Sequence, residues 1–210
     1  MSICIVAATT LELEQLTQTS SAQYKVLITG IGAAPTVYHL LKAIHANKPS
    51  LIIQAGIAGS FDQSIPLATP VVVRQDRFAD LGVYEQEHWK DVFDMELENA
   101  HALPYTNGWL PNPHEQLLNA LPLQQVTAVS INEITTSPQR IQQIREKYHP
   151  AIESMEGAAF HYVCLREGIP FLQLRAISNY VGERNKSKWQ IGQAIHNLAQ
   201  QIHSIISQRA

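Results

Sequence analysis

Neither sign of charge dominates this chain, cysteine is scarce, and no long apolar run is present. The 210 residues carry 15 basic and 18 acidic side chains, a net charge of -3, with the two signs mixed along the sequence. Without a basic patch, neither a nucleic acid nor an acidic membrane surface is the expected partner. A small molecule is. The two cysteines, Cys4 in an apolar strand-like run and Cys164 in an apolar helix-like run, make neither a disulfide framework nor a metal spacing. Both are expected as buried, reduced thiols. No stretch approaches the roughly 20 apolar residues of a membrane span. The first ten residues lack a basic leader, and Glu12 and Glu14 follow too soon for a signal peptide, so a soluble cytoplasmic protein is expected.

Several chemical signatures are also missing. There is no His-Glu-x-x-His among the nine histidines, and His196 and His203 lie seven apart on a polar helical stretch, so no metal is expected. Gly-x-Ser-x-Gly and the Walker loop are absent. Gly30-Ile31-Gly32 and Gly56-Ile57-Ala58-Gly59 fall short of a dinucleotide fingerprint. No cofactor is expected.

What is present is an alternation. Apolar runs at 3–7, 25–29, 51–55, 71–74, 126–130, 152–154 and 171–174 read as strands. Between them, 34–46, 113–120, 138–148, 156–167 and 189–207 carry apolar residues at helical spacing. Pro138 suits a first helical turn, and Gly168-Ile169-Pro170 suits a helix end. This pattern predicts one domain over residues 1–210, an α/β/α sandwich of three layers around a mixed, mainly parallel sheet. The segment 75–113 differs: polar, rich in proline and aromatics, and aperiodic. A stretch that long is expected to serve function or a partner.

The chemistry concentrates late in the chain. Ser154-Met155-Glu156-Gly157-Ala158-Ala159 sets a carboxylate at a helix start, and Arg175-Ala176-Ile177-Ser178-Asn179 begins nineteen positions after Glu156. A carboxylate can accept both vicinal hydroxyl protons of a ribose, and an amide can donate to a purine base. Together they suggest cleavage of a nucleoside at its glycosidic bond. These motifs, with Glu12 after the first strand, resemble the purine nucleoside phosphorylase and nucleosidase superfamily. Glu-Ser-Met-Glu-Gly-Ala-Ala at 153–159, Arg-Ala-Ile-Ser-Asn-Tyr-Val-Gly-Glu-Arg at 175–184 and Ala-Asp-Leu-Gly-Val at 79–83 are most similar to its futalosine hydrolases.

The resemblance implies roles. Glu12, read as lying on the loop after the first strand, would deprotonate the attacking water. Glu156 would chelate the 2′- and 3′-hydroxyls above Met155, and Arg175, with Ser178, would hold Glu12 or the water. Asn179 takes the place of the aspartate of adenine-specific members. Its amide can donate to O6 and N7 of a 6-oxopurine without an extra proton, so hypoxanthine is the expected leaving base. Ile57, Ala58, Gly59 and Ile134 are expected against sugar and base. For a benzoate-bearing 5′ tail the candidates are Trp89, Phe93, Arg184, Lys186 and Lys188. A homodimer is expected, with the aromatics of 75–113 as a contact.

Three alternatives stay open. A methylthioadenosine or adenosylhomocysteine nucleosidase would favour aspartate at 179. A phosphorylase would need cations by the Gly30 and Gly56 loops, where the sequence neighbours are Ala33, Ala34, Ile57 and Phe61. A non-catalytic nucleoside binder is disfavoured by Glu12.

Overall fold

The computed structural model describes residues 2–17 and 24–209. Among these residues ten strands are formed: β1 (Ile3–Ala7), β2 (Tyr24–Ile28), β3 (Leu51–Ser60), β4 (Pro70–Asp76), β5 (Gly82–Glu85), β6 (His88–Asp91), β7 (Leu110–Pro111), β8 (Gln124–Ser130), β9 (Ile152–Ser154) and β10 (Phe171–Tyr180). Six helices accompany them: α1 (Thr10–Thr17), α2 (Ala33–Ala46), α3 (Glu115–Asn119), α4 (Pro138–Tyr148), α5 (Gly157–Glu167) and α6 (Ile191–Ser207).

Alternation along the central strands builds the layers. Ile3, Ile5 and Ala7 of β1, with Leu51, Ile53 and Ala55 of β3 and Leu172 and Leu174 of β10, face α1 and α6, where Leu13, Leu198 and Ile202 meet them. The intervening Val6, Ile52 and Phe171 face α2 and α5, against Leu40, Ile44, Phe160 and Val163. Side chains alternate between the faces of a strand, so one sheet with helices on both sides follows directly. The sandwich is thus the predicted one, and its sheet is mainly parallel: β1 pairs parallel with β2 and β3, β3 with β10, β4 with β8, and β8 with β9.

Beyond the sandwich the sheet curls into a ring. β10 pairs with both β3 and β4, β4 with β8, β8 with β9, and β9 antiparallel with β3. The ring is filled by Ala58, Ile65, Val71, Val73, Val126, Ala128, Ile152 and Ile177. Closing a sheet removes two edges that would otherwise expose unpaired backbone. It also gathers the ends of β3, β9 and β10 at one rim.

The segment 75–113 holds the exposed β5–β6 hairpin and the short β7, which pairs with β4. Its aromatics close around a cation: the Arg77 guanidinium carbon lies 5.6 Å from the Phe93 ring, 5.1 Å from Trp109 and 4.2 Å from Tyr148 of α4. Cys164 is buried and Cys4 half-buried, both free; burial pushes the Cys4 thiol up to about 11. Among the described residues, no helix is long and apolar enough to cross a membrane.

Candidate active site

A cleft of about 320 Å³ opens where β1, β3, β9 and β10 end, lined among others by Glu12, Ile57, Ala58, Gly59, Met155, Glu156, Ser178 and Asn179. A larger hollow of about 520 Å³ at the opposite ends of β3 and β10 is lined by Ser50, His114, Glu115, Pro170 and Arg209. We place the site in the smaller cleft because two buried carboxylates and a carboxamide converge there. Open α/β sheets bind ligands beyond the carboxyl ends of their strands.

Glu12 lies in the first turn of helix α1 and not on a loop as predicted. Its Oε2 accepts from the Thr9 backbone N–H at 3.0 Å and the Thr9 hydroxyl at 3.1 Å. Thr9 and Glu12 stand three apart, so the carboxylate caps its own helix. The other oxygen accepts from Ile57 N at 3.2 Å, which ties α1 to β3. The side chain is buried yet borders the cleft. A carboxylate held by donors on both oxygens is fixed in direction and still able to take a proton from a water in front of it.

Glu156 ends the short β9 crossing and stands as the N-cap residue of α5. Its Oε1 accepts from Gly32 N at 3.0 Å, and Oε2 lies 3.6 Å from Nη2 of Arg175. Gly32, at φ +89°, turns the chain into α2 in a conformation that other residues rarely adopt. Arg175 rises from β10 fully buried, with Nη1 donating to Ile57 O at 3.4 Å. Its Nε and Nη2 have no hydrogen-bond partner. A side chain on Gly56 would collide with Arg175 Nη1 and approach Glu12 Oε1 to 2.9 Å. Only a bare backbone at 56 lets the guanidinium and the Glu12 carboxylate share that space. Arg175 therefore does stand near Glu12, but its ion pair is with Glu156. Gly56 itself lies within β3 and not on a loop, and Arg175 of the paired strand brings it a cation that the neighbouring sequence did not foretell.

Asn179 sits beyond an irregularity in β10. Ile177 pairs with Ala58 and Asn179 with Gly59, leaving Ser178 bulged out. Adjacent residues of a regular strand point to opposite faces, whereas across this bulge both Ser178 and Asn179 line the cleft. The Ser178 hydroxyl lies 2.8 Å from Asn179 Oδ1 and 3.2 Å from Ala58 O. Asn179 Nδ2 donates to Tyr180 O at 3.1 Å, which leaves one amide hydrogen for a ligand.

With this geometry in view, the relatives are informative. The profile of the phosphorylase superfamily matches residues 19–208. The chain belongs to this superfamily. Futalosine hydrolase of Streptomyces coelicolor is 30% identical over 186 residues, covering 85% of this chain and 77% of the relative. The 5′-methylthioadenosine/S-adenosylhomocysteine nucleosidase of Lysinibacillus sphaericus is 25% identical over 181 residues, covering 82% and 75%. In fold, the futalosine hydrolase structure of Helicobacter pylori superposes with a TM-score of 0.80 at 15% identity, over 99% of this chain and 98% of that one. The chain is an enzyme of this superfamily, one that hydrolyses N-glycosidic bonds.

The remaining predicted residues of this superfamily member divide. Met155, Ile57, Ala58, Gly59 and Ile134 line the cleft. Trp89 does not: its Nε1 donates to the Tyr148 hydroxyl at 2.8 Å, and its ring lies 4.0 Å from the Arg140 guanidinium. Phe93 packs edge-on against Tyr105, beside Arg77. Arg184 is exposed and stands 5.8 Å from the ring of Trp189, which does border the cleft. Lys188 pairs with Glu183 at 2.6 Å, and Lys186 is exposed in the 3-10 turn beside it. Trp189, Glu133 and Glu153 also border the cleft and were not singled out in the sequence. Leu11, Ile31 and Ile134 ring its mouth, each more than half exposed.

Proposed function

We propose that this enzyme is a futalosine hydrolase, which splits the glycosidic bond of futalosine with water to give hypoxanthine and dehypoxanthine futalosine, a step of the alternative menaquinone route. The observation that carries the reading is the meeting of Glu12, Glu156 and Asn179 in one cleft. Glu12 draws the proton from water, a service typically worth 10²–10⁴-fold. Glu156 holds the ribose hydroxyls and sets negative charge near the oxocarbenium-like transition state. Asn179 donates to the 6-oxopurine, a pairing that aspartate would make only when protonated. Met155, Ile57, Ala58, Gly59, Ser178 and Ile134 shape the sugar and base pockets. In this reading the chain works as one domain, as a cytoplasmic homodimer and without a cofactor; the apolar mouth supports a partner subunit. Phosphate is disfavoured as the nucleophile, because an anion beside Gly56 would meet Glu12 as well as Arg175.

A second reading has its own support. The cleft has no lysine or arginine among its lining residues, and Leu11, Ile31 and Ile134 at the mouth suit an apolar 5′ substituent. That favours methylthioadenosine. Incubation with futalosine, methylthioadenosine or inosine in phosphate-free buffer, with the released base followed by chromatography, separates these readings. Hypoxanthine released rapidly from futalosine alone is the expected outcome. Adenine from methylthioadenosine instead makes it a nucleosidase of that type, and activity that appears only with added phosphate makes it a phosphorylase and removes Glu12 from its role.

A further inference from the structure

Asn179 poses a chemical problem for a hydrolase. Breaking the bond between C1′ and N9 leaves an electron pair on the purine, and a proton at N7 makes that departure easy. A carboxamide can donate a hydrogen bond to N7 but has no proton to transfer at working pH. Another group has to supply it, and the inference below rests on the hydrolase reading in that sense.

Two carboxyl groups of the cleft have no assigned task, Glu133 on the loop after β8 and Glu153, and of the two Glu133 is exposed while Glu153 is held within the sheet. Glu153, the middle residue of β9, pairs with Gly59 on one side and Val129 on the other. The position that a Gly59 side chain would occupy lies 3.4 Å from Glu153 Cγ and 3.5 Å from Asn179 Nδ2. The nearest atom to that position is Val181 Cγ2 at 3.1 Å, so the missing side chain brings the Glu153 and Asn179 side chains to one crowded corner of the cleft. Glu153 Oε2 is buried without a hydrogen-bond partner, although the residue lines the cleft. An unpaired buried carboxylate is costly, and an unpaired carboxylic acid much less so.

We infer that Glu153 is the acid that protonates the departing base, while Asn179 orients that base. In the step, the C1′–N9 electron pair moves into the purine ring and N7 takes the proton from Glu153. The oxygen of water bonds to C1′ and its proton passes to Glu12. The products are a neutral purine, a ribose hydroxyl, ionised Glu153 and protonated Glu12, and exchange with solvent resets both carboxyls. Burial pushes the Glu153 carboxyl up to about 7, Thr135 pulls it back, and Glu133 on the loop after β8 adds to the rise. Glu12 and Glu156 border the same cleft, with Arg175 behind Glu156. A group poised near neutrality is suited to this task.

The test compares two leaving groups. Futalosine needs a proton on its base, whereas 4-nitrophenyl riboside releases a stable anion and needs none. In the wild type, kcat for futalosine falls as pH rises through about 7, because the acid must be protonated, while 4-nitrophenol release shows no such fall. Glu153→Gln lowers hypoxanthine release by about 10²–10³-fold and removes the alkaline fall, with 4-nitrophenol release within about threefold of wild type. Adding Asn179→Asp to that variant restores part of the hypoxanthine rate. An equal loss on both substrates, or none on either, overturns the inference, as does a wild type whose alkaline fall is the same for both. If the wild type instead releases adenine from methylthioadenosine, the futalosine reading fails alone, and the same comparison on that substrate still judges Glu153. A wild type that cleaves none of them overturns both.

Discussion

Two arginines are buried in this protein, each facing a carboxylate, and they are buried to opposite ends. Arg77 donates through Nη2 to Asp91 Oδ2 at 2.7 Å and lies among the rings of Tyr148, Trp109 and Phe93. Asp91 in turn accepts from the Tyr148 hydroxyl at 3.0 Å and from the backbone of Phe93 and Asp94, also at 3.0 Å. That neighbourhood is nearly saturated, with only Nε of Arg77 lacking an acceptor. Arg175 is held behind the cleft at 3.6 Å from Glu156, which lines it, and keeps both Nε and Nη2 without a hydrogen-bond partner. Buried polar groups are almost always paired, so two unmatched donors on one buried guanidinium set Arg175 apart from Arg77. The first arginine holds the long 75–113 segment onto α4. The second backs the Glu156 carboxylate at the cleft.

Matched substitutions sharpen that contrast. Arg175→Lys keeps the charge but loses the planar fork, and is expected to lower kcat by about 10²–10³-fold while urea unfolding stays near wild type. A wild-type kcat would break the comparison at its functional end. Arg77→Lys is expected to do the reverse, losing about 1.5–3 kcal/mol of unfolding free energy with kcat within about twofold. Should kcat fall with it, the cage belongs to the site after all. Gly56→Ala inserts a methyl between Arg175 and Glu12 and should cost about 1–3 kcal/mol together with much of the activity. Gly192→Ala is its control, since a side chain there meets nothing within 4 Å.

A pH-dependent effect concerns a buried carboxyl that feels the charge of Arg175. Asp76 is fully buried, accepting from Arg77 N at 2.8 Å, the Ser130 hydroxyl at 3.0 Å and Gln173 Nε2 at 3.1 Å. Burial pushes it up to about 6, against the hydrogen bonds of Gln173 and Ser130 and the charge of Arg175. Because the folded value is raised, the stability it contributes is fully present below the unfolded value near 4 and is lost as pH rises through about 6. Stability should therefore fall across that window by up to about 1.4 kcal/mol per pH unit from this group. Asp76→Asn should flatten the fall in urea titrations at successive pH values. An unchanged slope would mean that Asp76 does not titrate there.

The sandwich was legible because its strands are continuous apolar runs and its long helices carry buried residues at helical spacing. Helix α1 was not. In its first residues Leu11, Glu12, Leu13 and Glu14 alternate, and Leu11 is exposed while Leu13 and Leu16 are buried, so the short sequence reads as neither period. The hairpin β5–β6 escaped for a related reason: every residue of β5 is exposed, so no buried face imprints an alternation. In the site, Glu12, Glu156, Arg175 and Asn179 were found through their motifs. Glu153 stood in one of those motifs with no role read for it and Trp189 in none, because their place depends on pairing with Gly59 and on the chain's return after β10. Trp89 and Phe93 were drawn away for a reason no local pattern carries: aromatic faces are also good seats for a buried guanidinium.

The bulge at Ser178 gives this chemistry an arithmetic. Arg175 lies before it and Asn179 after it, so one extra residue sets the phase between the guanidinium behind Glu156 and the amide that lines the cleft. Deleting that residue would leave Glu12, Glu156, Arg175 and Asn179 in the sequence and still turn Asn179 toward the other side of the strand. Side-chain placement at such a rim is inherited as a count as much as an identity, and an insertion or deletion there re-aims Asn179 while leaving Asn179 itself unchanged.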